Sequence, residues 1–417
     1  MKAPNLLIYI LFSVLVFCPG LGAFAQGAKT QDGIPLEWMP WRDPNNPLVL
    51  KLEPSTSEDW RARRDTSKDP KREPGLVNPQ RYASGVFTSM FPTFWGMPMA
   101  FNSEDLKAGK VDVAVFGSAG DSQYLQGGKY AANKMRALTQ VIFFPGAYAG
   151  TDPFTRIEYF KELVVADYGN AAANILHNQR SLEELAKVIG EIKGSGAIPI
   201  GIGGTHVQMY AWFMALAKHH GPKSFAMFHI DAHYDAQPAS NGMFVHNGSM
   251  LKNGVELGLV NGEDLVSVGL RSPAPSASEL KWMRDNKLRY HFMAEVQRDG
   301  FDKFAQRIFD ELKGKKLFIS VDMDGIDPAD APAVGTMAIG GIRAAQAARL
   351  LRGLAAQNEV IGAEFGEYNP LLDDGHTTTG VVMDRLIRAT LAGIAARKKG
   401  ITDPNYLAPE ALSHGVE

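Results

Sequence analysis

Residues 228–235 read Phe228-His229-Ile230-Asp231-Ala232-His233-Tyr234-Asp235, an apolar run that breaks into ionisable side chains. In an extended chain the alternate spacing turns Asp231, His233 and Asp235 to one side, where two carboxylates and an imidazole can converge on a cation. Burying two carboxylates at a strand end without a cation would be costly. Three other apolar runs end in the same way. Ile200-Gly201-Ile202-Gly203-Gly204-Thr205-His206 delivers His206 after a glycine turn; Phe318-Ile319-Ser320-Val321-Asp322-Met323-Asp324 delivers two aspartates; Gly362-Ala363-Glu364-Phe365-Gly366-Glu367 delivers Glu367. Taken singly these are weak signals, since a histidine after Gly-Gly often starts a helix and Asp-x-Asp commonly serves as a turn or cap. Their joint occurrence after four apolar strands points to a metal centre.

Working outward, short β-rich runs alternate with amphipathic stretches from about residue 86 onward. Strands are expected over 112–117, 197–203, 225–230, 265–270, 317–321 and 361–365. Helices are expected over 182–192, 206–219, 276–286, 301–312, 342–357 and 380–396. Strand-helix alternation of this kind predicts an α/β fold, a central mostly parallel sheet covered on both faces in three layers, α/β/α. Ligands in such sheets bind beyond the carboxyl ends of the strands, which is where the four clusters lie.

The chain has 417 residues and a net charge of −2, with no long basic run, so neither size nor charge suggests a nucleic-acid partner. A small soluble substrate is the better default. Residues 1–25 open with Lys2, continue through an apolar stretch and end in Ala23-Phe24-Ala25, the pattern of a secretory signal peptide cleaved before Gln26. An uncleaved anchor is the alternative, for which the apolar run is short. Export to the periplasm or cell exterior, with no stable membrane association after cleavage, is the expectation. Cys18 is the only cysteine and would leave with the signal. Any metal in the mature chain must therefore be held by imidazole and carboxylate. Residues 26–85, rich in Pro, Trp and charge, form a partly irregular extension; 86–400 form the catalytic domain and 401–417 a tail.

GGTHV, FHIDAHYDA, SVDMDGIDPADAPAVGT and EYNP resemble the signatures of the ureohydrolase (arginase/agmatinase) family, in order and spacing closest to the agmatinase branch. The likeness runs from about residue 85 to 399, with the stretch from Gly117 to Arg136 as a divergent version of another family segment. It implies the arginase/deacetylase-like fold and two divalent ions. His206, Asp231, Asp235 and Asp322 would hold one ion, and Asp231, His233, Asp322 and Asp324 the other. Four aspartates then balance two divalent charges. Oxygen-rich ligation with two imidazoles suits Mn²⁺ best, with Ni²⁺, Co²⁺ or Fe²⁺ also compatible. Two such ions sharing a water lower its pKa enough to give hydroxide near neutral pH. The resemblance makes Glu367 the carboxylate that orients a guanidinium and His246, in Val245-His246-Asn247-Gly248, the proton shuttle to the departing amine.

The implied reaction is hydrolysis of a guanidino compound to urea and an amine by a homo-oligomer, a trimer or hexamer. A formimino or other amidine hydrolase of the same fold, or an inactive metal-holding binding protein, are the alternatives; Glu367 and His246 argue against the last, because neither is needed merely to hold metal. Several positions depart from the family pattern: Thr205 for the usual Asp, Val334 for a small polar residue, Tyr234 and Ala236 around Asp235, and Gln126 near a usual Arg. They bear on substrate identity more than on the metal site.

Overall fold

The computed structural model describes residues 72–79, 91–118, 120–121, 127–141, 150–173, 178–239 and 245–413. The expected signal peptide, most of the extension, Gln126 and the last four residues lie outside the described residues. Eight strands form one sheet: β1 (Val113–Ser118), β2 (Val165–Ala171), β3 (Ile198–Ile202), β4 (Ala226–Ile230), β5 (Leu265–Leu270), β6 (Arg289–Phe292), β7 (Lys316–Asp322) and β8 (Glu359–Gly366). Their order is β2-β1-β3-β8-β7-β4-β5-β6, and every neighbouring pair is parallel. β1, β4 and β5 are buried along their whole length and β3, β7 and β8 at every position but the first, as a two-sided parallel sheet demands of its apolar runs.

The expected strands are present with shifts of one or two residues at their ends. β2 and β6 were not expected, for a physical reason. They are the two edges, and their sequences, VADYGNA and RYHF, carry polar side chains at half-exposed positions and lack a continuous apolar run. The helix expected over 206–219 begins instead as a 3-10 turn, His206–Gln208, and becomes α-helical over Met209–His220.

The helices pack into two groups. Ser103–Ala108, Asn178–Ser195, Met209–His220 and Met250–Glu256 contact one another in series; Ala131–Val141, Thr378–Lys398, Ala344–Gln357, Phe301–Leu312 and Met293–Asp299 form the other series. Each series carries its apolar stripe onto the sheet, giving the three-layer α/β arrangement. Trp212 illustrates the fit: its ring lies fully buried against Phe116 and Phe318, and a Cβ at Gly362 on β8 would stand 2.9 Å from the indole. Only glycine leaves room there. Part of the extension packs on this body, with Arg72 paired to the buried Asp105 at 2.6 Å and Val77 bridged to Met99.

Because β8 is inserted between β3 and β7, the sheet centre reads β3-β8-β7-β4. These are the four strands whose ends carry the ionisable clusters. Topology thus brings residues separated by more than 150 positions to one edge of the sheet.

Candidate metal centre

Beyond β4 the backbone is gripped before any side chain is considered. Asp231 N–H donates to the Val268 carbonyl at 3.0 Å, and Ala232 N–H to Asp324 Oδ1 at 3.1 Å. On the other side Gly325 packs so closely that a Cβ there would lie 2.7 Å from Asp231 N. Arg271, at the end of β5, donates from Nη2 to the carbonyls of Asp324 (2.6 Å) and Ala338 (2.7 Å), pinning the loop after β7. Thr336 donates to Asp324 Oδ2 at 2.7 Å.

On this frame the side chains converge. His206 Nδ1 lies 3.3 Å from Asp231 Oδ2, 3.0 Å from Asp235 Oδ2 and 3.3 Å from Asp322 Oδ2. His233 Nδ1 lies 3.3 Å from Asp231 Oδ1 and 3.1 Å from Asp324 Oδ2. Two groups that could each hold a metal ion result, His206-His229-Asp231-Asp235 and Asp231-His233-Asp324, and Asp231 belongs to both. All six residues named from the sequence as ligands meet here.

The expected single face does not exist, however. β4 stops at Ile230, and Asp235 turns into the left-handed region with φ 41°. Asp235 therefore faces His206 while His233 faces Asp324, and only Asp231 is shared. An alternating side-chain pattern holds only while the chain stays extended.

The electrostatics are those of a site built for positive charge. Burial, then Asp324 and Asp231, push the Asp322 carboxyl well above the usual range. Burial and Asp231 likewise raise Asp235. Burial works against the charge of His233 also, but the Asp231 and Asp324 carboxylates overcome it and push the imidazole up to about 12. Oδ2 of Asp231 and Oδ2 of Asp235 are fully buried without a hydrogen-bond partner. Such orphaned carboxylate oxygens beside imidazole nitrogens, with no sulfur donor, fit hard or borderline divalent cations.

Residues beyond the six sharpen the picture. His229 backs Asp231, its Nε2 at 3.2 Å from Oδ2, while Ser267 holds Nδ1 at 3.3 Å. It shares the odd-number parity of 231, 233 and 235, the signal that could have flagged it. Glu364 faces Nε2 of His206 at 3.4 Å and accepts from Ser320 at 2.7 Å. Loss of the usual Asp at Thr205 is therefore not loss of a carboxylate behind His206: one arrives from β8. Val334 is buried, its backbone bridged to Tyr368, and Tyr234 donates to Glu279 at 2.6 Å.

Glu367 is buried beside the cluster with φ 61°. Its Oε1 accepts the His206 N–H at 2.6 Å and Asn247 Nδ2 at 3.1 Å. Burial, opposed by the His206 N–H and charge, pushes its carboxyl up to about 7. His246 is half-buried in the adjoining loop; its Nε2 lies 3.2 Å from the Pro238 carbonyl, so the loop's own backbone holds the ring.

Residues 111–393 match the family model for the arginase family, and the chain belongs to that family. It is 29% identical over 222 residues to the mitochondrial guanidino acid hydrolase of Homo sapiens, covering 53% of this chain and 62% of that protein. To the mitochondrial agmatinase of Gallus gallus it is 27% identical, covering 66% and 78%. The solved proclavaminate amidino hydrolase of Streptomyces clavuligerus superposes with a TM-score of 0.64 at 25% identity, over 74% of this chain and 98% of that one.

Proposed function

We propose that the chain is an agmatinase-like hydrolase that cleaves a C–N bond of a guanidino compound, adding water to give urea and an amine. The observation that carries this reading is the convergence of His206 after β3, Asp231, His233 and Asp235 after β4, and Asp322 and Asp324 at the end of β7, with Glu367 after β8 beside them. His206, Asp231, Asp235 and Asp322 would hold one divalent cation and Asp231, His233, Asp322 and Asp324 a second, Mn²⁺ by donor chemistry or Ni²⁺. When bound, the pair supplies Lewis acidity and activates water near neutral pH.

The chain's own groups do the rest. A guanidinium is planar and cationic. Glu367, whose Oε1 is already occupied by two N–H donors, offers Oε2 to a substrate N–H and balances its charge. His246 carries a proton on its ring to the departing amine after leaving the Pro238 carbonyl. Substrate identity within the guanidino class is set by loops around the mouth, and agmatine, guanidino acids, arginine and guanidine are the panel to try. Export rests on residues 1–25; a fusion of the first ~30 residues that stays unprocessed in the cytosol refutes it.

The test is expression from Gln26, loading with Mn²⁺ or Ni²⁺ in parallel, and a urea assay across that panel. Metal-dependent urea release is expected, and Glu367→Gln should abolish it while bound metal is unchanged. A metal-loaded protein that releases urea from none of them sinks the proposal.

A further inference from the structure

One network joins two features of this chain, Thr205 and Asn247. The Asn247 carboxamide lies between three elements. Its Oδ1 accepts the Thr205 hydroxyl at 2.7 Å and the Val207 N–H at 3.0 Å, and its Nδ2 donates to Glu367 Oε1 at 3.1 Å. The orientation of the amide is unambiguous, because a flipped group would set NH₂ against the Val207 N–H and oxygen against a carboxylate. The backbone of its turn does not depend on this side chain. His246 N–H donates to Ser249 Oγ at 3.1 Å, Ser249 N–H to the His246 carbonyl at 3.0 Å, and Gln237 N–H to the Gly248 carbonyl at 2.8 Å.

We infer that Asn247 is a positioning residue: its carboxamide, oriented by Thr205, locks Glu367 so that Oε1 is spent on the protein and Oε2 alone is presented to substrate. It also ties the loop bearing His246 to the carboxylate, so both groups keep one register relative to His206. The inference rests on the reading of Glu367 as the guanidinium-orienting group.

The experiment uses the metal-loaded chain, with guanidinium chloride as calorimetric probe, steady-state kinetics on whichever guanidino compound is cleaved, and crystal structures of the variants. Asn247→Asp keeps the acceptor for Val207 but sets a carboxylate against Glu367; Thr205→Val removes the orienting hydroxyl at constant shape, and Thr205→Ser restores it. Expected results are a rise of roughly 10- to 100-fold in the guanidinium Kd for Asn247→Asp, as for loss of a buried hydrogen-bond partner, and a smaller rise for Thr205→Val reversed in Thr205→Ser. KM should rise together with a fall in kcat, metal content should stay at the wild-type value in every variant and Tm in the Thr205 variants, and Glu367 should leave its position in the Asn247→Asp crystal. Wild-type affinity and kinetics in Asn247→Asp overturn the assignment, as does a loss confined to Tm or metal content. If Asn247→Asp does not fold, Asn247→Ala, which removes the carboxamide without adding charge, decides by the same readings, because the Thr205 hydroxyl also hydrogen-bonds Glu367 directly. A wild-type protein that neither binds nor cleaves guanidino compounds overturns the functional reading instead, and the position of Glu367 in the variant crystals still decides the role of Asn247.

Discussion

Asp322→Asn should change the sign of its effect on stability when metal is added. Without metal, Asp322 is a buried carboxylate crowded by Asp324 and Asp231, and its carboxyl is held well above the usual range. Two like charges about 4 Å apart at an effective dielectric constant of ~20 repel by about 4 kcal/mol. Attraction to His206 Nδ1, 3.3 Å away, offsets one such pair, and partial protonation relieves more. Neutralising Asp322 then stabilises the metal-free protein by roughly 1–3 kcal/mol. Asn keeps the Oδ1 acceptor that Asp324 N–H uses at 2.8 Å. For a domain of this size the unfolding entropy is about 0.7 kcal/mol/K, so the metal-free Tm should rise by about 1.5–4 °C. With metal, the wild type gains about 4 kcal/mol per site at a thousandfold excess over Kd, or roughly 11 °C for two sites. The variant lacks a side chain proposed to serve both ions and should lose most of that gain. Thermal melts in EDTA and in Mn²⁺ or Ni²⁺, with metal content by mass spectrometry, measure both halves. A metal-free Tm that falls in the variant, with the metal-induced shift intact, refutes the reasoning.

Other consequences are independent of that one. Arg136 clasps Asp167 with Nε at 2.7 Å and Nη2 at 2.8 Å inside the protein, so Arg136→Met, which strands a buried carboxylate, should cost about 3–5 kcal/mol and lower Tm by about 4–7 °C in a melt. His291 lies between Glu295 at 3.1 Å and Glu311 at 3.2 Å; burial opposes its charge, but the two carboxylates prevail and raise its pKa. Its stabilising contribution is therefore complete below the ordinary histidine range and lost as pH climbs through the raised value, and His291→Asn should flatten that part of the Tm-against-pH curve. Gly325→Ala would drive a methyl group to 2.7 Å from Asp231 N and 2.9 Å from its Cα, backbone atoms that cannot yield cheaply; a folded protein with reduced metal content is expected by mass spectrometry, and full metal content would contradict the packing.

How much of this was legible follows from where each signal resides. The central strands were readable because burial on both faces makes them continuous apolar runs, and the polar residues just past them were readable as a site because nothing else justifies charge there. The edge strands were not, since an edge tolerates Asn170 or Arg289 as readily as a loop does. Within the site, alternate spacing alone could not divide Asp231, His233 and Asp235 between two ions; the family resemblance did, and the structure groups Asp235 with His206 and His233 with Asp324 in the same division. Glu364 and Asn247 escaped notice because each acts on a residue from another element. No local pattern records such contacts.

The backbone at Glu367 shows what the fold gives up for its chemistry. Asp and Asn enter the left-handed region with modest ease, so Asp235 at φ 41° is unsurprising, but glutamate has no such preference, and glycine would relieve the strain at φ 61°. Such a conformation costs of order 1–3 kcal/mol and persists only where neighbours over-determine it. Here they do: Glu367 N–H donates to the Gly204 carbonyl at 2.9 Å while its carboxylate accepts from His206 and Asn247. A strained turn with a buried carboxylate raised to about 7 serves stability badly on both counts. Both features suit the role proposed for Glu367, a pre-set acceptor for a cationic, planar N–H donor beside the cluster of His and Asp side chains.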